Sequence, residues 1–169
     1  MEELELFHIS SEKYKVREVV NAPEETNYHK GRKEMQQDWV DDLLDSVKPA
    51  NAPSRKSTLF AFDKPFFCTA FRKQELRKGD VFYLYKVKML NPYKAPMTIV
   101  GRIEKKLFNN DALANAYWDQ TFIWNFYEYL SVKMEIIEEI TITEAMINNP
   151  IASELIEKDF NKITRDYSK

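Results

Sequence analysis

The sequence predicts an α+β fold, and three observations carry that prediction. Alternating apolar patterns of the β type and short stretches of helical period are interspersed without regular order. The connections between them are too brief for the crossovers of a regular βαβ succession. The chain has 169 residues, enough for one domain with a full core, and 14% of them are aromatic, as suits a thick core or a lined pocket. Residues 1–169 therefore read as a single domain, with a core over about 4–142 and a terminal helix over about 150–165.

Residues 4–9 read as a short opening strand that ends at His8-Ile9-Ser10-Ser11. Residues 14–22 are a weaker extended candidate, and the polar stretch from there to Gly31 has little pattern. Over residues 33–47, Met35, Trp39, Val40, Leu43, Leu44 and Val47 recur at the spacing of one helical face, which predicts a helix. Residues 48–53, with two prolines and an asparagine, form a loop. Residues 57–62 read as a strand, followed by a helix capped at Asp63, with Pro65 in its first turn, running to about Lys73.

After Gly79-Asp80, the series Val81, Tyr83, Tyr85, Val87, Met89 alternates with Phe82, Leu84, Lys86, Lys88 in the clearest strand of the chain. Its first half is apolar on both faces, as in a central strand. Residues 97–103 are another strand candidate, Asn110-Asp111 caps a helix to about Trp118, and residues 135–142 form a late β-branched strand. Asn149-Pro150 starts the terminal helix, with Ile151, Leu155, Ile156, Phe160 and Ile163 at helical spacing.

Composition excludes several classes of function. The three glycines, Gly31, Gly79 and Gly101, are too far apart for the P-loop or Rossmann fingerprints. A nucleotide would have to be held by side chains across a cleft. Lysine and arginine total 25 against 27 acidic residues, so there is no electrostatic footprint for nucleic acid or an anionic membrane. The basic runs His29-Lys30-Gly31-Arg32-Lys33 and Arg72-Lys73 with Arg77-Lys78 are flanked by acids and read as solvated surface. Cys68 is alone and the two histidines lie far apart, so no metal site is predicted. The acidic start and the lack of a long apolar run predict a cytoplasmic protein without a membrane partner.

Three residues stand out chemically. His8 lies at a strand end beside serines. Ser10, with His8 or His29 as base, would be a hydrolase nucleophile, but neither a nucleophile elbow nor a third member is present. Glu128 lies in Trp124-Asn125-Phe126-Tyr127-Glu128-Tyr129-Leu130, either at the wet edge of an aromatic cluster or partly desolvated.

Taken in chain order, four segments carry more weight: Leu6-Phe7-His8-Ile9-Ser10; Pro53-Ser54-Arg55-Lys56-Ser57-Thr58-Leu59-Phe60-Ala61-Phe62; Gly79-Asp80-Val81-Phe82-Tyr83-Leu84-Tyr85; and Ala114-Asn115-Ala116-Tyr117-Trp118 followed by Glu128-Tyr129-Leu130 and the late strand. The series resembles the small ADP-ribosyltransferase-like domains of the His-Tyr-Glu class, whose members include diphtheria-toxin-like, rifampin-modifying and uncharacterised bacterial and phage proteins. The resemblance spans roughly residues 4–142.

It implies a split β-sheet core with flanking helices and NAD as a substrate. His8 and Ser10 would hold a ribose hydroxyl. Phe60, standing where the family usually has Tyr, would pack on nicotinamide, with Phe62, Tyr83 and Tyr85 as alternatives. Glu128 would be the catalytic carboxylate, stabilising the oxocarbenium character of the ribose and positioning the acceptor. Arg55 is a candidate for the pyrophosphate, with a solvent-facing loop arginine as the equal alternative. Phe126 replaces the acid of arginine-modifying relatives, which disfavours an arginine target.

The expected activity is transfer of ADP-ribose from NAD to an unidentified acceptor, with release of nicotinamide. The rival expectation is an inactive relative, a phage or immunity-type factor that binds a partner through an aromatic groove. Convergence of His8, Phe60 and Glu128 on one cleft would favour the enzyme, and Glu128 pointing away from His8 would take the expected chemistry from the resemblance.

Overall fold

The antiparallel pairing of β1 (Glu3–Ser10) with β4 (Tyr83–Leu90) is the backbone of the larger sheet in the computed structural model, which describes residues 2–169. β7 (Lys133–Ile140) lies on the other side of β4 and β2 (Val19–Asn21) lies outside it, giving the order β1-β4-β7-β2. β4 is thus a central strand, as its two apolar faces predict. A second antiparallel sheet runs β3 (Leu59–Ala61), β6 (Tyr127–Ser131), β5 (Tyr93–Pro96). The fold is α+β.

The two sheets bury a shared core, with Leu6, Tyr85, Val87 and Met134 of the first against Leu59, Ala61 and Tyr129 of the second. They are also stitched together: Phe7 N donates to Phe62 O and Phe62 N to Phe7 O, both at 2.7 Å. The far side of the larger sheet is covered by α3 (Pro65–Phe71) and α8 (Pro150–Tyr167), around Ile9, Phe62, Phe67 and Phe126. The far side of the smaller sheet is covered by α2 (Trp39–Ser46), α5 (Met97–Glu104) and α6 (Asn110–Trp118). α1 (Asn27–Glu34), α4 (Lys73–Arg77) and α7 (Glu144–Ile147) are short connecting helices. No helix among the described residues is long and apolar enough to cross a membrane.

Several elements differ from their sequence reading. The helix expected over residues 33–47 is two helices, α1 and α2, separated by a turn in which Gln36 has φ 56°. Met35, counted as apolar-face, is 67% exposed. α1 lies in the stretch that looked patternless, because its buried face is made by His29 and Arg32 rather than by apolar residues. Its start is set by Thr26, whose Oγ1 accepts from His29 N at 3.0 Å.

Residues 97–103 are helical: Ile99, Val100 and Ile103 face the core beneath α6, and a short apolar run does not distinguish a strand from a buried helix. The strand in that region is β5, just before it. Asp63 does not cap α3; Lys64 holds the cap position, and Pro65 occupies the first turn as expected. Residues 14–22 contribute only β2. Glu128 lies inside a strand of its own, β6, which directly precedes the late strand β7. The terminal helix follows its prediction, with Asn149 Oδ1 accepting from Ile151 N and Ala152 N.

Candidate functional site

Strand alternation sets the first side chain of the site. Leu4, Leu6, His8 and Ser10 share one face of β1; Leu6 enters the core between the sheets, and His8 follows where that core opens. His8 Nδ1 lies 2.6 Å from Phe60 O. A carbonyl can only accept, so Nδ1 carries the proton and Nε2 remains an acceptor. Burial lowers the His8 pKa and the positive charge of Arg72 adds to this, against the Phe60 hydrogen bond and Glu12, which raise it.

His8, Ser10, Tyr14, Tyr28, Phe60 and Arg72 line a pocket of about 280 Å³. Its walls are aromatic: the Tyr28 ring meets Phe60 edge-on at 5.8 Å and Phe71 at 6.2 Å. Such walls suit a flat ring, while the imidazole acceptor and the serine hydroxyl suit a donor-rich group such as a ribose.

Because the folded-state pKa of His8 lies below its ordinary value of 6.5, the stability linked to it has a definite sign. Above pH 6.5 the ring is neutral in both states and its contribution is present in full. As pH falls through 6.5 and on through the folded value, the unfolded chain takes up the proton first and stability is lost. His8→Gln, which keeps an N–H donor for Phe60, is expected to flatten the dependence of the unfolding free energy between about pH 7.5 and pH 5. Equal slopes for the variant and the parent in urea melts would show that His8 is not held neutral.

Behind Phe60 lies a second, closed assembly. Arg55 is fully buried and Glu128 is 1% exposed. Arg55 Nε donates to Asp41 Oδ1 at 3.1 Å, and Nη1 donates to Tyr117 Oη at 2.6 Å and to Glu128 Oε1. Tyr117 Oη donates to the same Glu128 oxygen, and His29 Nδ1 is 2.9 Å from Asp41 Oδ2. Burial raises the Tyr117 pKa, so it serves as a neutral phenol between cation and carboxylate. For Arg55 burial acts to lower the pKa, but the surrounding oxygens outweigh it and the pKa is raised.

The register explains this separation. Phe60 pairs with Leu130, and Ala95 with Glu128, so Glu128 falls on the helix-covered face of the smaller sheet. His8 approaches β3 from the inter-sheet side. Phe60 stands between them, lining the pocket while its ring lies 4.9 Å from the Arg55 guanidinium carbon.

His8, Ser10 and Phe60 therefore converge, and three other expected residues do not. Arg55 is neither a pyrophosphate ligand on the surface nor a solvent-facing loop residue; three buried polar groups, Asp41, Tyr117 and Glu128, claim it. Glu128 does not line the pocket, because Arg55 and Tyr117 take up its carboxylate. Tyr83 packs with the inter-sheet core beneath Lys13, which is 5.6 Å from its ring. Of the alternative aromatics, Phe62 reaches the pocket wall, whereas Tyr85 is fully buried with its Oη accepting from Tyr14 N at 2.8 Å. His29, paired with Asp41, is not free to activate Ser10, whose Oγ accepts from Glu12 N at 3.0 Å.

Tyr14, Tyr28 and Arg72 were missed as pocket residues. The first basic run is not solvated surface, since His29 is 3% and Arg32 7% exposed. The available signal was Thr26 as a cap, with His29 and Arg32 three residues apart behind it. Comparison of the chain with family models and with curated proteins finds no match in either.

Proposed function

We propose that the chain binds NAD in this pocket, as an ADP-ribosyltransferase-like protein whose two sheets form the split core of that class. The observation that supports this reading is the arrival of His8 and Ser10 from β1 and Phe60 from β3 at a single pocket. His8 Nε2 accepts from a ribose hydroxyl, Ser10 supplies a second polar contact, and the Phe60 and Tyr28 rings flank nicotinamide. In the transfer reaction the bond from the ribose to the nicotinamide nitrogen breaks and nicotinamide leaves with the bonding pair. An acceptor nucleophile bonds the same carbon and gives up its proton.

The developing positive charge needs a carboxylate at the pocket, and Glu128 lies behind Phe60. The carboxylate on the pocket wall is Glu12, with Oε2 accepting from the Tyr14 hydroxyl at 3.2 Å; in this reading Glu12 takes the electrostatic role. The burial of Glu128 also favours the second reading, a binding protein without turnover.

Calorimetry with NAD, combined with nicotinamide release from labelled NAD in host lysate, separates the two. Transfer predicts release that Glu12→Gln abolishes. Binding alone predicts heat that His8→Ala removes, with no release. The absence of both heat and release would overturn NAD binding, and is the result expected of a factor that binds a macromolecular partner instead.

A further inference from the structure

The pocket does not end at Arg72. Ser11, Asn27, Tyr28 and Arg72 also belong to the lining of a second, open cavity of about 540 Å³. Its other wall includes Arg32, from the inner face of α1. The two cavities therefore adjoin along one groove, with aromatic walls at the His8 end and Arg32, Arg72, Glu75 and Glu104 at the other.

The Arg32 guanidinium is in an unusual state. The residue is 7% exposed, yet Nε and Nη1 have no hydrogen-bond partner among the described residues. Only Nη2 is engaged, with the Tyr28 hydroxyl and with Glu104 Oε1 at 2.5 Å. Its carbon sits 4.7 Å from the Tyr28 ring centroid, a cation–π contact with a residue of the groove wall. Arg72 repeats the pattern in milder form: its Nε is buried without a partner, and Nη1 has only a long contact, 3.7 Å, with Glu75. Buried donors left open cost free energy unless something fills them. Unpartnered guanidinium nitrogens from two arginines on one groove match the oxygens of a phosphoryl group, which accept charge-assisted hydrogen bonds.

We infer that Arg32 and Arg72 form a phosphoryl-binding subsite, at which a phosphorylated ligand extends from the aromatic pocket. Glu104 and Glu75 hold the two forks in place when the site is empty. Ligand phosphate oxygens accept from Arg32 Nε and Nη1 and from Arg72 Nε, the nitrogens that the Glu104 and Glu75 ion pairs leave without partners. The subsite takes over the anion-binding role that Arg55 is too deeply buried to perform. It extends the groove of the NAD reading without depending on it.

The test uses inorganic pyrophosphate, ADP and adenosine against the full chain, by calorimetry at low and high salt. Arg72→Gln, at a half-exposed position that tolerates change, is expected to weaken pyrophosphate and ADP binding about tenfold or more. Adenosine binding is expected to stay as in the parent. Arg32→Gln should act in the same direction, provided its circular dichroism matches the parent. Affinity for pyrophosphate and ADP should also fall with added salt. Absence of pyrophosphate and ADP binding to the parent chain overturns the subsite, as does binding that Arg72→Gln leaves unchanged. Failure of the NAD reading is a separate result: pyrophosphate binding that depends on Arg72, with no heat from NAD.

Discussion

Arg55→Ala is expected to destabilise the protein by about 3–5 kcal/mol, the cost of leaving buried charges without their partner. At roughly 2–4 °C per kcal/mol for a chain of this size, the Tm falls by about 10 °C or more. The physical cause is the buried, ion-paired assembly around the guanidinium, in which Nε and Nη1 are engaged and Nη2 has no partner among the described residues. Asp41 is fully buried and Glu128 nearly so, and both lie against Arg55. Removing the cation leaves two buried carboxylates without their shared partner.

Arg55→Lys keeps the charge but loses the fork that reaches Asp41 through Nε and Tyr117 and Glu128 through Nη1. It should fall between the parent and alanine in urea unfolding. A double-mutant cycle with Glu128→Gln should show coupling, because the two side chains share one hydrogen-bonded assembly. A loss below about 1 kcal/mol for Arg55→Ala would mean that the assembly is solvated in solution.

Phe62→Ala is expected to cost a similar amount, about 3–5 kcal/mol, as is usual when a buried aromatic is cut to a methyl group. Phe62 is 1% exposed, and its ring stacks on Phe126 at 5.6 Å and packs on Phe71 at 5.4 Å. Its backbone is also the stitch between the sheets, through the two 2.7 Å bonds with Phe7. Loss of the ring loosens that junction and, with it, the hydrogen bond by which Phe60 orients His8 one residue along β1.

Phe67→Ala is the control. Phe67 is 2% exposed and stacks on Phe126 at 4.6 Å, but it is not part of the pocket wall. Both variants should lose stability, and only Phe62→Ala should strip hydrogen-exchange protection from the Phe7 and Phe62 amides beyond the global loss. Equal protection of these amides in the two variants would show that the stitch does not depend on the Phe62 ring.

The residues that could be read in advance are those whose pattern is local. β1 and β4 show the period-two alternation directly, and α8 has its asparagine cap ahead of its apolar face, whereas α6 is capped by Asn109, one residue before the Asn110-Asp111 that the sequence suggests. The pair His8 and Ser10 was legible for the same reason, being two positions on one strand face. α1 was not, because its inner face is polar and hydropathy carries no sign of it. Residues 97–103 were misread because Ile99, Val100 and Ile103 satisfy either period over so short a span.

The sequence by itself therefore determined the α+β class, the central place of β4, the terminal helix and the exclusion of a glycine-loop nucleotide site. Only the tertiary structure decided the roles of Arg55, Glu128, Arg32 and Arg72. Arg55 meets Asp41, Tyr117 and Glu128 across 14, 62 and 73 residues of chain. Whether such a charge becomes a ligand contact or a buried strut depends on which face of β6 the register assigns to Glu128. That register follows from the pairing of strands distant in sequence, which no local pattern specifies.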